Sequence, residues 1–129
     1  MPFSYVVYPE KRLVITTASG RVTRDEIQEC HNQAATDPEF NPEFDHLADL
    51  RDVSDFEMSL DEFKMLARRK IFEPSARRAL VARQPHIFGM GRLWEAYSEM
   101  SDEMPPNIRV FYDLPSALRW LGLEADPRS

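Results

Sequence analysis

The chain has 129 residues, a formal net charge of −6 and one cysteine. That length suits one domain with a core of its own, and a lone thiol excludes a disulfide framework or a cysteine zinc site. The acidity disfavours bulk nucleic-acid binding.

The charge is segmented. Residues 68–92 carry 7 basic side chains (Arg68, Arg69, Lys70, Arg77, Arg78, Arg83, Arg92) against 1 acidic one, Glu73, while both flanks are acidic. This island is read first as solvated element ends, and second as a surface for a small anion or an acidic partner. The opening MPFSYVVYPEKR has no basic leader followed by an apolar run, and no stretch is long and apolar enough to span a bilayer. The expectation is a cytoplasmic protein without membrane attachment.

FSYVVY (3–8) and RLVITTA (12–18) are β-branched and aromatic and flank Pro9-Glu10-Lys11, which predicts a hairpin. Ser19-Gly20 is expected to end the second strand. Thr23-Arg24-Asp25-Glu26 reads as a capping box, with Ile27, Cys30, His31 and Ala34 behind it at helical spacing. Cys30 is therefore a core residue. DPEFNPEFD (37–45) is a proline-broken loop anchored by Phe40 and Phe44, and HLADL (46–50) is a short strand.

Ser59-Leu60-Asp61-Glu62 is a second capping box, with Leu60, Phe63, Leu66, Ala67 and Ile71 along one helix face. ARRALVAR (76–83) predicts a strand whose apolar centre, residues 79–82, is covered on both sides. After a loop, Leu93, Tyr97, Met100 and Met104 mark a third helix, closed by Pro105-Pro106. IRVFY (108–112) is the last strand, residues 115–121 are a short helix, and residues 124–129 are a polar tail. The order β-β-α-β-α-β-α-β-α predicts an α/β fold with a mixed, mostly parallel sheet of about five strands and about four helices.

Four stretches, YPEKRLVITTASGRVT, HLADLRDVSDFEMS, RALVARQPHIFGMGRLWEAY and RVFYDLPSALRWLGL, resemble the STAS-like fold, and most closely a group of small bacterial proteins described as SpoIIAA-like. The resemblance spans roughly residues 3–123 and implies a non-enzymatic regulatory or protein-interaction module, and a homodimer. Regulatory STAS proteins carry a phosphorylated serine in an Asp-Ser-(Ser/Thr)-Gly turn after the third strand. Here that turn reads Glu57-Met58-Ser59-Leu60, which leaves Ser59 as a weak phosphoacceptor candidate and already a sufficient helix N-cap. At greater distance the topology resembles the CRAL-TRIO lipid-binding domains, which are larger.

The alternative function is binding of a small anionic or lipid-like ligand at Gly89-Met90-Gly91-Arg92. Read as a helix entry at the C-terminal end of a strand, these residues would offer free amides, close backbone approach and the Arg92 fork. His86 and Trp94 flank them. Met90, Trp94, Tyr97 and Tyr112 are a candidate aromatic wall. No histidine pair has the spacing of a helical metal site, and Asp45, Asp49, Asp52 and Asp55 lack the spacing of a calcium loop. No catalytic constellation, metal or cofactor is assigned.

Overall fold

The computed structural model describes residues 3–67, 71–100 and 107–129, with side chains reported for all of these except 67 and 98–100. Five strands and four α-helices alternate: β1 (Phe3–Tyr8), β2 (Leu13–Thr23), α1 (Arg24–Thr36), β3 (Asp45–Glu57), α2 (Leu60–Ala67), β4 (Arg78–Val81), α3 (Pro85–Met100), β5 (Ile108–Phe111) and α4 (Leu114–Trp120). The spatial order of the sheet is β1-β2-β3-β4-β5. β1 runs antiparallel to β2, and the other three pairs are parallel. This is the mixed sheet and element order predicted from the residues.

Each parallel step moves the same way across the sheet. Right-handed crossovers therefore put α1, α2 and α3 on one face. Ile27 of α1, Leu66 of α2 and Ile87 of α3 share a core there with Ala18, Ala48, Leu50, Leu80 and Val110. α4 turns back over the other face, where Ala117, Leu118 and Leu121 pack on Leu13, Ile15, Leu47, Ala79 and Val81. All four β4 residues are buried, as expected for a strand covered on both sides.

β2 and β3 exceed their predicted lengths, whereas β4 covers only Arg78–Val81 of the predicted 76–83 and β5 ends at Phe111. β2 does not stop at Ser19-Gly20, and β3 runs 13 residues rather than the five of HLADL. The two continue past the sheet as a parallel ribbon from Ser19↔Asp52 to Thr23↔Glu57. Register shifts on either side of Gly20, whose φ is +67, bend the ribbon over the α1–α3 face. Val22 and Val53 seal it to the core, and Phe56 and Met58 pack against the same cluster.

Both capping boxes form. Thr23 accepts from the Glu26 amide while Glu26 accepts from the Thr23 amide. Ser59 Oγ accepts from the Glu62 amide at 3.1 Å, and Glu62 accepts from the Ser59 amide at 3.0 Å. α2 is described over Leu60–Ala67, Ile71 is not helical and packs against the Phe44 and Phe72 cluster instead, and Leu60 is exposed rather than packed. Arg68, Arg69, Lys70, Met104 and Pro105-Pro106 lie outside the described residues.

The polar tail is tied down. Arg128 donates to Asp126 and, from Nη1, to Asp49 at 3.0 Å. Asp49 also receives the Arg51 guanidinium through two bonds of 2.9 Å. Burial pushes the Asp49 carboxyl up, but the bonds from Arg51 and Arg128 outweigh it and hold the group at about 2.

Candidate functional site

Residues 89–92 do not form a helix-entry loop. The third helix starts at Pro85, eight residues before Leu93, so Gly89, Met90, Gly91 and Arg92 lie inside α3 with their amides engaged in the helix. Pro85 was the available signal, since proline is suited to the first helical position. Arg92 is an exposed side chain that pairs with Glu95 one turn on at 3.3 Å. His86 is exposed in the first turn and donates from Nε2 to the Ser54 carbonyl at 2.6 Å, joining α3 to the β3 ribbon. Tyr112 stacks on Phe88 with ring centroids 3.6 Å apart and 58% exposed, away from Trp94.

Gly91 has a packing reason. A Cβ there would lie 2.6 Å from Val110 Cγ2, so the missing side chain lets α3 seat on β5. At Gly89 a Cβ would meet nothing within 4 Å. Gly91→Ala should therefore lose up to about 2 kcal/mol, because an overpacking cost of about 1–3 kcal/mol exceeds the roughly 1 kcal/mol of helix propensity gained. Gly89→Ala should gain up to about 1 kcal/mol. Urea unfolding of the two variants checks the contrast, and equal effects would contradict the close approach.

Between the sheet and α1–α3 lies a cavity of about 50 Å³. Met90, Gly91 and Trp94 line it from α3, so three of the residues singled out in sequence do meet at one place, on the inward face of a helix rather than on a loop. Ile27, Leu50, Phe63, Leu66, Leu80 and Ile87 make its walls apolar. Half-buried Phe56, Met58 and Met90 mark its more open end.

The other end is polar and fully buried, and comes from alternation along three strands. Thr16, His46 and Arg78 project to the same face as Ala18, Ala48 and Leu80, because every second strand residue does. His46 and Arg78 are register partners on β3 and β4. His46 Nε2 lies 2.9 Å from Thr16 Oγ1, and Arg78 Nε donates to His46 Nδ1 at 3.4 Å. A ring nitrogen that accepts carries no proton, so the neutral imidazole holds its proton on Nε2 and donates it to Thr16. Burial, then the Arg78 charge and then His31, push the His46 pKa well below its ordinary value.

Arg78 is 5% exposed. Its guanidinium lies 4.8 Å from the centroid of the Phe72 ring and 5.7 Å from that of Trp94. Phe72 also stacks on His46, with centroids 5.0 Å apart. Burial pulls the Arg78 pKa down to about 10, which still leaves a cation at neutral pH. Among the described residues no carboxylate pairs with it, and Nε is its one hydrogen-bonded nitrogen. The neighbouring Arg77 shows the ordinary solution. It faces the α4 side, where it pairs with Asp45 at 3.3 Å and donates to the Trp120 and Leu121 carbonyls at the end of α4. Trp94 Nε1 is likewise buried with no hydrogen-bond partner among the described residues.

Among the described residues the basic island therefore has no common face. Arg77 goes to one side of the sheet, Arg78 to the other, and Arg92 to solvent. Cys30 is buried as expected, and burial followed by Glu29 raises its thiol to about 11, so it is an inert core group. No group of three His, Cys, Asp or Glu side chains is placed to hold a metal among the described residues, and no described helix is long and apolar enough to cross a membrane.

A mixed five-stranded sheet with three helices on one face and a fourth closing the other is a SpoIIAA-like fold. The chain is similar to the crystal structure of an uncharacterised protein from the DUF3478 family with a SpoIIAA-like fold, from Shewanella loihica. The likeness covers 92% of this chain and 91% of that one, with a TM-score of 0.58 and 20% sequence identity. No protein-family model matches the chain, and no curated protein matches it.

Proposed function

We propose that this SpoIIAA-like protein is a non-catalytic binding module that holds a small organic anion in the cavity under α3. One observation carries the reading: a fully buried arginine sits at the polar end of a largely apolar cavity and meets no carboxylate among the described residues. An isolated buried charge is costly, and a structure normally pairs it. An anionic ligand supplies the missing partner, and the apolar walls take its body. This reading stands ahead of a surface interaction module, because the described arginines of the basic segment, Arg77, Arg78 and Arg92, go to different faces.

The site differs from the usual α/β arrangement. There, ligands sit outside the carboxyl ends of the strands. Here the charged end lies at the first residue of β4, and the opening lies toward the carboxyl ends.

Trp94 offers a direct readout, since Trp120, the other of the chain's two tryptophans, packs on the α4 face. In a Trp120→Phe background, small carboxylates and phosphates should perturb Trp94 fluorescence saturably, and native mass spectrometry should show one added ligand per chain. No response to any organic anion, with no mass retained on purification, would remove the proposal.

A further inference from the structure

The polar end of the cavity also specifies what kind of anion fits. Arg78 is its permanent cation, His46 is held neutral by accepting from Arg78 and donating to Thr16, and His31 of α1 also lines the cavity. Besides Trp94 Nε1 on the α3 wall, the donors left over are few and converge. Arg78 keeps Nη1 and Nη2, which form a planar fork, and Thr16 keeps its own hydroxyl proton once its oxygen accepts from His46. A fork of two parallel N–H groups matches the two oxygens of one carboxylate. A phosphate dianion or a dicarboxylate would bring a second negative charge into a buried, largely apolar place where Arg78 is the one permanent cation among the described lining residues.

Size sets the other limit. A water occupies about 10–15 Å³ on this scale, so the cavity has room for roughly four such volumes. Resting on the binding-module reading, we infer that the ligand is a short aliphatic monocarboxylate of about four to seven non-hydrogen atoms, its carboxylate on Arg78 and Thr16 and its alkyl body toward Leu50, Leu80 and Ile87. The walls at that point are aliphatic.

The test is Trp94 fluorescence and calorimetry on the full chain at neutral pH, with isovalerate, its neutral isostere isovaleramide, succinate and inorganic phosphate as probes. Isovalerate should bind about 10- to 100-fold more tightly than isovaleramide, the amide having lost a charge-assisted contact. Succinate and phosphate should bind more weakly than isovalerate. Thr16→Val, close in shape, should weaken isovalerate by about 3- to 10-fold and leave the thermal unfolding of the free protein cooperative. Arg78→Met should abolish binding.

Phosphate or succinate binding more tightly than isovalerate overturns the monocarboxylate inference while the binding-module reading survives. Isovaleramide binding as well as isovalerate overturns both, because charge is then not recognised. No binding of any anion also overturns both. An unaltered isovalerate affinity in Thr16→Val, with Arg78→Met silent, keeps the charge recognition and removes the three-donor head site.

Discussion

Replacing Arg78 by methionine is expected to make the ligand-free protein more stable, by up to about 3 kcal/mol. Exchanging a buried charge for an apolar side chain of similar length commonly gains about 1–4 kcal/mol. Against that stand the Phe72 and Trp94 ring contacts and the bond to His46, which together return about 1 kcal/mol. Methionine fills the same elongated space with an adaptable chain. Urea denaturation of wild type and variant without added ligand measures the difference.

The second half of the same prediction is a loss. Saturating anion should raise the unfolding midpoint of the wild type by mass action and leave Arg78→Met unmoved. A residue that destabilises the empty protein and is needed for the filled one is retained for binding, in line with the trade-off between stability and function. A variant less stable than wild type by several kcal/mol would make Arg78 a structural group instead.

The largest pH effect should come from His46. Its folded-state pKa is pushed well below the ordinary value near 6.5. Above about pH 6.5 the imidazole is neutral in both states and contributes no slope. As pH falls below that value, the unfolded chain takes up a proton that the folded chain refuses, so stability falls. The limiting slope is about 1.4 kcal/mol per pH unit, or roughly 2 kcal/mol lost by pH 5. Arg78 on β4 and His31 on α1 both face His46 and oppose its protonation.

Asp49 acts in a lower window. Its carboxyl is held at about 2, so its stabilisation is present above about pH 4 and lost as pH falls toward 2. Urea midpoints between pH 7.5 and 5 therefore exclude the Asp49 contribution. His46→Gln keeps an acceptor for Arg78 and a donor for Thr16 but does not titrate. It should remove most of the acid-side slope, and a slope that survives unchanged would assign the effect to another group.

Much of the fold was legible because its signals are local. The capping residues Thr23, Glu26, Ser59 and Glu62 announce two helices by chemistry that acts over three residues. The apolar run at residues 79–82 announces a strand covered on both sides. The misplacements were also local in origin. Gly89 and Gly91 suggested a loop, but Pro85 had already opened the helix, and a small residue at 91 answers to Val110 on a different element. β2 and β3 outran their sequence limits because each supports the other past Gly20, and pairing of that kind is not written in either segment alone.

The candidate site was half legible. Met90, Gly91 and Trp94 were singled out and do line the cavity, whereas Arg78, His46 and Thr16 were not recognised as a group. A signal existed in the alternation of Arg78 with Leu80 and Ala82, which sets a charge on an apolar face. The sequence by itself determined the element order, the helix starts at Thr23 and Ser59 and the inward turn of Cys30, since capping, periodicity and burial follow from neighbours in the chain. Only the tertiary structure decided that Arg77 is met by Asp45 and the end of α4 while Arg78 lies beside His46, under Trp94, without a counter-charge among the described residues. Two adjacent arginines on a strand necessarily face opposite ways, and what each one meets depends on strand register and on which helices cover each face.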